Sequence, residues 1–94
     1  MKKLTREWVK KAEADFLAAA KLGRGRDFLH DQVCFHSQQS AEKYLKALME
    51  EIGLTVPHTH NLISLLPLLT PHHPSLRSLQ RGLDFLTRFA VDTR

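Results

Sequence analysis

The sequence predicts an all-α fold, a four-helix up-and-down antiparallel bundle, on three observations. Gly and Pro divide the chain into four stretches that each read as helix, the second and fourth spacing their apolar residues by alternating threes and fours. Nowhere do apolar and polar residues alternate with the period of two that a half-buried strand requires, and β-branched residues are few. At 94 residues with 43% hydrophobic and 26% charged side chains, the chain is a single domain over 1–94. A domain of this size buries only about two-thirds of its unfolded surface, so a partner subunit is expected to supplement the core.

The first helix is expected from Thr5, a candidate N-cap, to Leu22, with Trp8, Ala12, Phe16 and Ala19 as its apolar stripe, widened by Val9 and Ala20. Gly23 and Gly25 are expected to stop it. The second helix, Asp27 to Ile52, carries the clearest bundle seam in Cys34, Gln38, Ala41, Leu45, Leu48 and Ile52. Gly53 stands where a C-terminal cap belongs, and Asp27 is a plausible N-cap.

After Pro57, residues Asn61 to Leu69 are apolar on nearly every side, as in a short helix buried among neighbours, with His60 or Asn61 as its cap and His58 and Thr59 shaping the turn before it. Pro67 removes a backbone donor, so a break or kink is expected there. The last helix follows Pro74, which suits a first turn, and repeats the seam in Leu76, Leu79, Leu83, Leu86 and Ala90.

The formal charge is +4, with ten basic against eight acidic residues in 1–54 and four against two in 55–94. Neither half is a basic tail, so any nucleic-acid affinity has to come from a local patch. Two stripes are candidates. On the second helix His36, Gln39, Lys43, Lys46 and Glu50 share one face, and Glu42 and Lys46 are spaced for an i,i+4 ion pair on a solvated face. On the last helix Arg77, Arg81 and Arg88 line up, with Arg94 beyond them and Asp84 placed to neutralise two of the arginines. A solvated helix face is the first reading of both stripes, and a groove for phosphate or base is the second.

Other chemistries lack support. His58 and His60, and the adjacent His72 and His73, fall in loops without a third ligand, so no metal site is expected. Cys34, the one cysteine, lies on an apolar seam, where thiols are commonly inert, and argues for a reducing, cytoplasmic setting. No glycine-framed serine and no phosphate loop is present, no signal-peptide core opens the chain, and no run approaches the ~18–20 apolar residues of a membrane span.

The run from Cys34 to Leu48, with Gln38-Gln39-Ser40-Ala41-Glu42-Lys43 at its centre, resembles the signature helix of HEPN domains. Trp8 with Ala12-Glu13-Ala14-Asp15 is similar to their first helix, and Pro57-His58-Thr59-His60-Asn61-Leu62 to the turn into their third. The resemblance implies a helical bundle that pairs as a homodimer or higher oligomer, binds nucleotide or RNA, uses no cofactor, and partners a minimal nucleotidyltransferase in a toxin–antitoxin arrangement. His36, Gln39, Lys43 and Lys46, with Arg88 and Arg94, are then the expected groove. Several members are metal-independent ribonucleases whose motif is an Arg followed four to six residues later by a His on the last long helix. Here no His follows His73, so no catalytic residue is assigned; Arg24 and His30 match the spacing but straddle the first turn. A ribonuclease alternative would rest on His36, and an assembly alternative on Phe85, Phe89 or Met49 as exposed pairing residues. Members of the family commonly run on from a final Arg into Tyr-Pro and a tail, so a domain cut short at Arg94 is the expectation.

Overall fold

The computed structural model describes residues 1–24 and 30–92, the last four by backbone only. It comprises α1 (Lys3–Arg24), α2 (His30–Glu51), α3 (Leu62–Leu69), a 3₁₀ segment (Pro74–Leu79) and α4 (Gln80–Asp92), with no strand among the described residues. None of the described helices is long and apolar enough to cross a membrane.

α2 is the central element. Its one side receives α1, and its other receives α3 and α4, which also pack on each other; α1 touches none of the other elements among the described residues. Contacts between Lys2 and Glu51, Ala12 and Ser40, and Asp15 and His36 run in opposite sequence directions, so α1 and α2 are antiparallel.

The α1–α2 contact is built on small side chains. Thr5, Ala12 and Ala19 are buried at intervals of seven, and Ser40 Oγ donates to the Ala12 carbonyl at 2.9 Å across the interface. Ala47, seven residues after Ser40 and so on the same face, is also buried. Small residues let the two backbones approach closely, and a seven-residue repeat keeps the contact strip facing its partner along the helix. Phe16, expected in this stripe, lies to one side of it and is 63% exposed, because α1 has a single neighbour and no second helix covers its flank.

Both ends of α1 differ from expectation. Thr5 is not the N-cap: it sits inside the helix and donates to Glu51 Oε1 at 3.2 Å. Lys2 takes that place, since its carbonyl accepts from Arg6 N–H while its own N–H donates to the same Glu51 oxygen at 3.0 Å. Gly23 does not stop the helix, which runs on to Arg24; Gly25 and Asp27 lie outside the described residues.

α2 ends as expected. Gly53 has φ +82°, Leu54 N–H reaches the Met49 carbonyl at 2.9 Å, and Gly53 N–H reaches that of Glu50 at 3.2 Å, the paired bonds of a glycine-terminated helix. Lys2 Nζ adds a cation to this C-terminal end by donating to the Glu50 carbonyl.

α3 is capped by Asn61, whose side chain accepts from Ile63 N–H at 2.9 Å, while Thr59 Oγ1 accepts from Asn61 N–H. Pro67 does not break it. The carbonyl that loses its donor belongs to Ile63, and both residues lie on the exposed side, where water can supply the bond. Leu62, Leu65, Leu66 and Leu69 form the core with Leu45, Met49 and Leu83. Met49, 1% exposed, is therefore a core residue and cannot pair subunits. The last helix begins as the 3₁₀ segment with Pro74 in its first turn, and the tighter winding rotates Leu79 out of the seam to 43% exposure. Ala90 and Phe89 have no described side chains.

Substituting Ala12→Leu should wedge the close α1–α2 contact and lower Tm by roughly 5–20 °C, as overpacking by about 1–3 kcal/mol implies. Phe16→Ser should change stability by less than about 0.5 kcal/mol. Thermal unfolding followed by circular dichroism checks both.

Candidate functional site: the α1–α2 edge

The polar stripe of α2 does not stand free in water. It meets a stripe of α1 containing Trp8, Lys11 and Asp15, and two charge clusters result.

The first is organised by Asp15. One carboxylate oxygen contacts His36 Nδ1 at 2.8 Å, and the other accepts from Lys43 Nζ. His36 and Lys43 are seven residues apart and hence on one face, so a single carboxylate spans two turns of α2. Gln39, half-buried, lies on that face between them. Burial pushes the Asp15 carboxyl up, but the hydrogen bonds and charges of Lys43 and His36 outweigh it and leave the pKa below the ordinary carboxylate value. An ionised carboxylate only accepts, so His36 Nδ1 carries the proton in this contact. His36 and Lys43 retain 30% and 23% side-chain exposure, enough to reach a ligand.

The second cluster is sealed. Lys46 Nζ donates to Glu42 Oε2 at 3.1 Å, with the two side chains only 5% and 3% exposed. The spacing expected for this pair is right and the expected setting is not: Trp8 of α1 and the turn before α3 cover it. Lys46 lies over the Trp8 ring, 5.6 Å from its centroid. His60 Nδ1 meets the same Glu42 oxygen at 3.0 Å, and Gln38, on the seam, donates to the His60 carbonyl. The other Glu42 oxygen is buried with no hydrogen-bond partner. Lys46 is thus withdrawn from the expected groove, because its charge is spent on a carboxylate that the interior would not otherwise tolerate.

Arg88 stands elsewhere. It is five residues from Leu83 and two from Leu86, both of which turn to the core, so it lies on the outer face of α4 with Arg81, away from α2. One protomer therefore does not bring Arg88 to His36, Gln39 and Lys43. Arg94 lies outside the described residues. Asp84 pairs with neither Arg81 nor Arg88, and the three exposed arginines Arg77, Arg81 and Arg88 have no carboxylate partner among the described residues. No three His, Cys, Asp or Glu side chains gather to hold a metal among the described residues. Cys34 is buried, and burial, with the nearby charge of Asp31, pushes its thiol up and away from the reactive thiolate.

Trp8, Lys11 and Asp15 were not anticipated as site residues. Trp8 reads as core from its spacing, and the signal that could have found Asp15 is a carboxylate bordering an otherwise apolar stripe. Its partners follow only from the register of α1 against α2.

The lowered pKa of Asp15 fixes the sign of a pH effect. The unfolded carboxyl titrates near pH ~3.9, so its contribution is fully present above that range and is lost as pH falls through the lower folded value. Acid unfolding should show Asp15→Asn less stable than the wild type at pH 7, with the gap closing between about pH 5 and pH 2.

No curated protein and no solved structure matches the chain. The family model described as HEPN domain matches residues 5–94, which takes in both charge clusters and every element from α1 to α4. The chain belongs to the HEPN domain family.

Proposed function

We propose that this HEPN domain is a nucleotide- or RNA-binding module that acts as a homodimer or higher oligomer and as the partner of a minimal nucleotidyltransferase in a toxin–antitoxin arrangement. Membership of a family linked to RNA binding or nuclease activity supports the reading. The observation that carries it is the Asp15 cluster: one half-buried carboxylate holds His36 and Lys43 in place at a half-exposed edge, with Gln39 between them. Donors fixed before binding lose less freedom when a phosphate or base edge arrives.

Lys46 serves this edge from beneath, as the counter-charge of Glu42, rather than as a contact. The unpaired Arg81 and Arg88 supply a second basic face, which a partner subunit can bring to the first. Phe85, 55% exposed beside them, suits the pairing of copies.

A second reading is favoured by one distance. The 2.8 Å contact from Asp15 orients His36 as a carboxylate orients a general base, which keeps a metal-independent ribonuclease with His36 as its acid–base group in view.

Fluorescence anisotropy with a labelled oligoribonucleotide separates the outcomes. Gln39→Ala with Lys43→Ala should weaken binding about tenfold or more while the fold persists; unchanged affinity would remove the α2 edge from the proposal. Arg88→Ala should reduce the salt dependence by about one phosphate contact. RNA that stays intact in EDTA supports the binding module, and metal-free cleavage lost in His36→Ala supports the ribonuclease.

A further inference from the structure

We infer that the first three turns of α1 bind a single-stranded nucleic acid, with one nucleobase stacked on Trp8 and the neighbouring phosphates on the lysines around it. This rests on the RNA-binding reading above and adds to it a surface, a stacking residue and a preference for unpaired strands.

Charge is the first ground. Residues 2–13 hold Lys2, Lys3, Arg6, Lys10 and Lys11 against Glu7 and Glu13, a local excess of three in a chain whose whole formal charge is +4. Lys2 is engaged with the end of α2, but Lys3, Arg6, Lys10 and Lys11 are exposed and have no carboxylate partner among the described residues. Because α1 packs on α2 alone, the outer side of this segment is covered by no other described element. An exposed run of unpaired cations tracks a phosphate backbone.

The second ground is the setting of Trp8. Two cations lie over its ring, each 5.6 Å from the centroid, and they differ in kind. Lys46 is buried and anchored on Glu42, so it remains in place whatever binds. Lys11 is exposed and can leave the ring for a phosphate. A recess of about 160 Å³ opens here, lined by Leu4, Glu7, Trp8 and Lys11, which recur at i, i+3, i+4 and i+7 along one stripe of the helix. That is well below the ~300–1,000 Å³ of sites that enclose a drug-sized molecule. It suits one flat ring, with the rest of the strand outside. Leu4 gives such a ring an apolar border, and the Glu7 carboxylate can accept from an exocyclic amine.

A groove of about 380 Å³ adjoins the recess through Glu7, and Lys3, Arg6 and Lys10 line it, so the cations continue in the direction a backbone would leave. A base within a duplex is stacked on both faces and has none to offer an indole, whereas an unpaired base does.

Trp8 is the one tryptophan in the chain, so its emission reports on this site directly. The full chain is titrated with a ten-nucleotide oligoadenylate, with a duplex of mixed sequence, with adenosine monophosphate and with inorganic phosphate. The inference expects saturable quenching by the single strand, and weaker effects from the other three at equal concentration. Trp8→Leu should weaken anisotropy-measured binding of the single strand about tenfold or more, the range that loss of one stacked base gives. Trp8→Phe, which keeps a ring to stack on, should retain most of the affinity, and the emission quenching and Lys10→Gln carry the test if Leu fails to fold. Lys10→Gln should lower the slope of log K against log salt by about 0.7.

RNA binding with unchanged Trp8 emission, and with Trp8→Leu, or Lys10→Gln where Leu does not fold, matching the wild type, would overturn the inference while leaving RNA binding intact. Equal quenching by the duplex, or by phosphate alone, would overturn it as well. No binding of any RNA would overturn both this inference and the reading it rests on.

Discussion

The buried ion pair between Glu42 and Lys46 is the constraint around which the molecule is arranged. Two charges of opposite sign, nearly sealed from water, are tolerable only if other groups close over them and satisfy what they leave open. Trp8 does so from α1 and His60 from the turn before α3, while Gln38 holds the backbone of that turn. One pair thereby connects three segments that are distant in sequence. Its satisfaction within the protein is incomplete, since one Glu42 oxygen is buried without a protein donor, so loss of Lys46 would leave a still less compensated charge.

Asp15 plays the complementary part nearer the surface. The buried residues of α1, Thr5, Ala12 and Ala19, are small and permit close approach, but they offer little shape to lock the interface. Polar contacts at its margins then fix rotation and register: Asp15 on one edge, and Lys2 and Thr5 on Glu51 at the end. The same edge displays His36, Gln39 and Lys43. Under the proposed function, side chains that align the two helices would also meet the ligand, so stability and binding would be coupled at this surface, and each substitution needs both readouts.

The seams of the second and last helices were largely legible in the sequence because apolar periodicity is a local property: Leu45 and Leu83, spaced correctly, are both buried. Gly53 and Asn61 were legible for the same reason, since a cap is set by its own backbone. What escaped depended on neighbours. The i,i+4 spacing of Glu42 and Lys46 states that they can meet, but says nothing of whether a third element covers them. Phe16 fits the stripe yet has no second helix to pack on, and Pro67 falls where its lost bond faces outward. The candidate site was half legible. The α2 stripe is a matter of spacing, whereas Asp15, Trp8 and Lys11 join it only through the register between two helices, and Arg88 leaves it because α4 turns that side outward.

A double-mutant cycle on Glu42 and Lys46 tests the central constraint most directly. Glu42→Gln, Lys46→Met and the double variant are unfolded in denaturant. Each single change should cost about 3–5 kcal/mol by stranding a buried charge or breaking its bonds, and the double should recover at least about 2 kcal/mol of the summed loss. Two small, additive effects within about 0.5 kcal/mol, as solvent-exposed pairs give, would contradict the account.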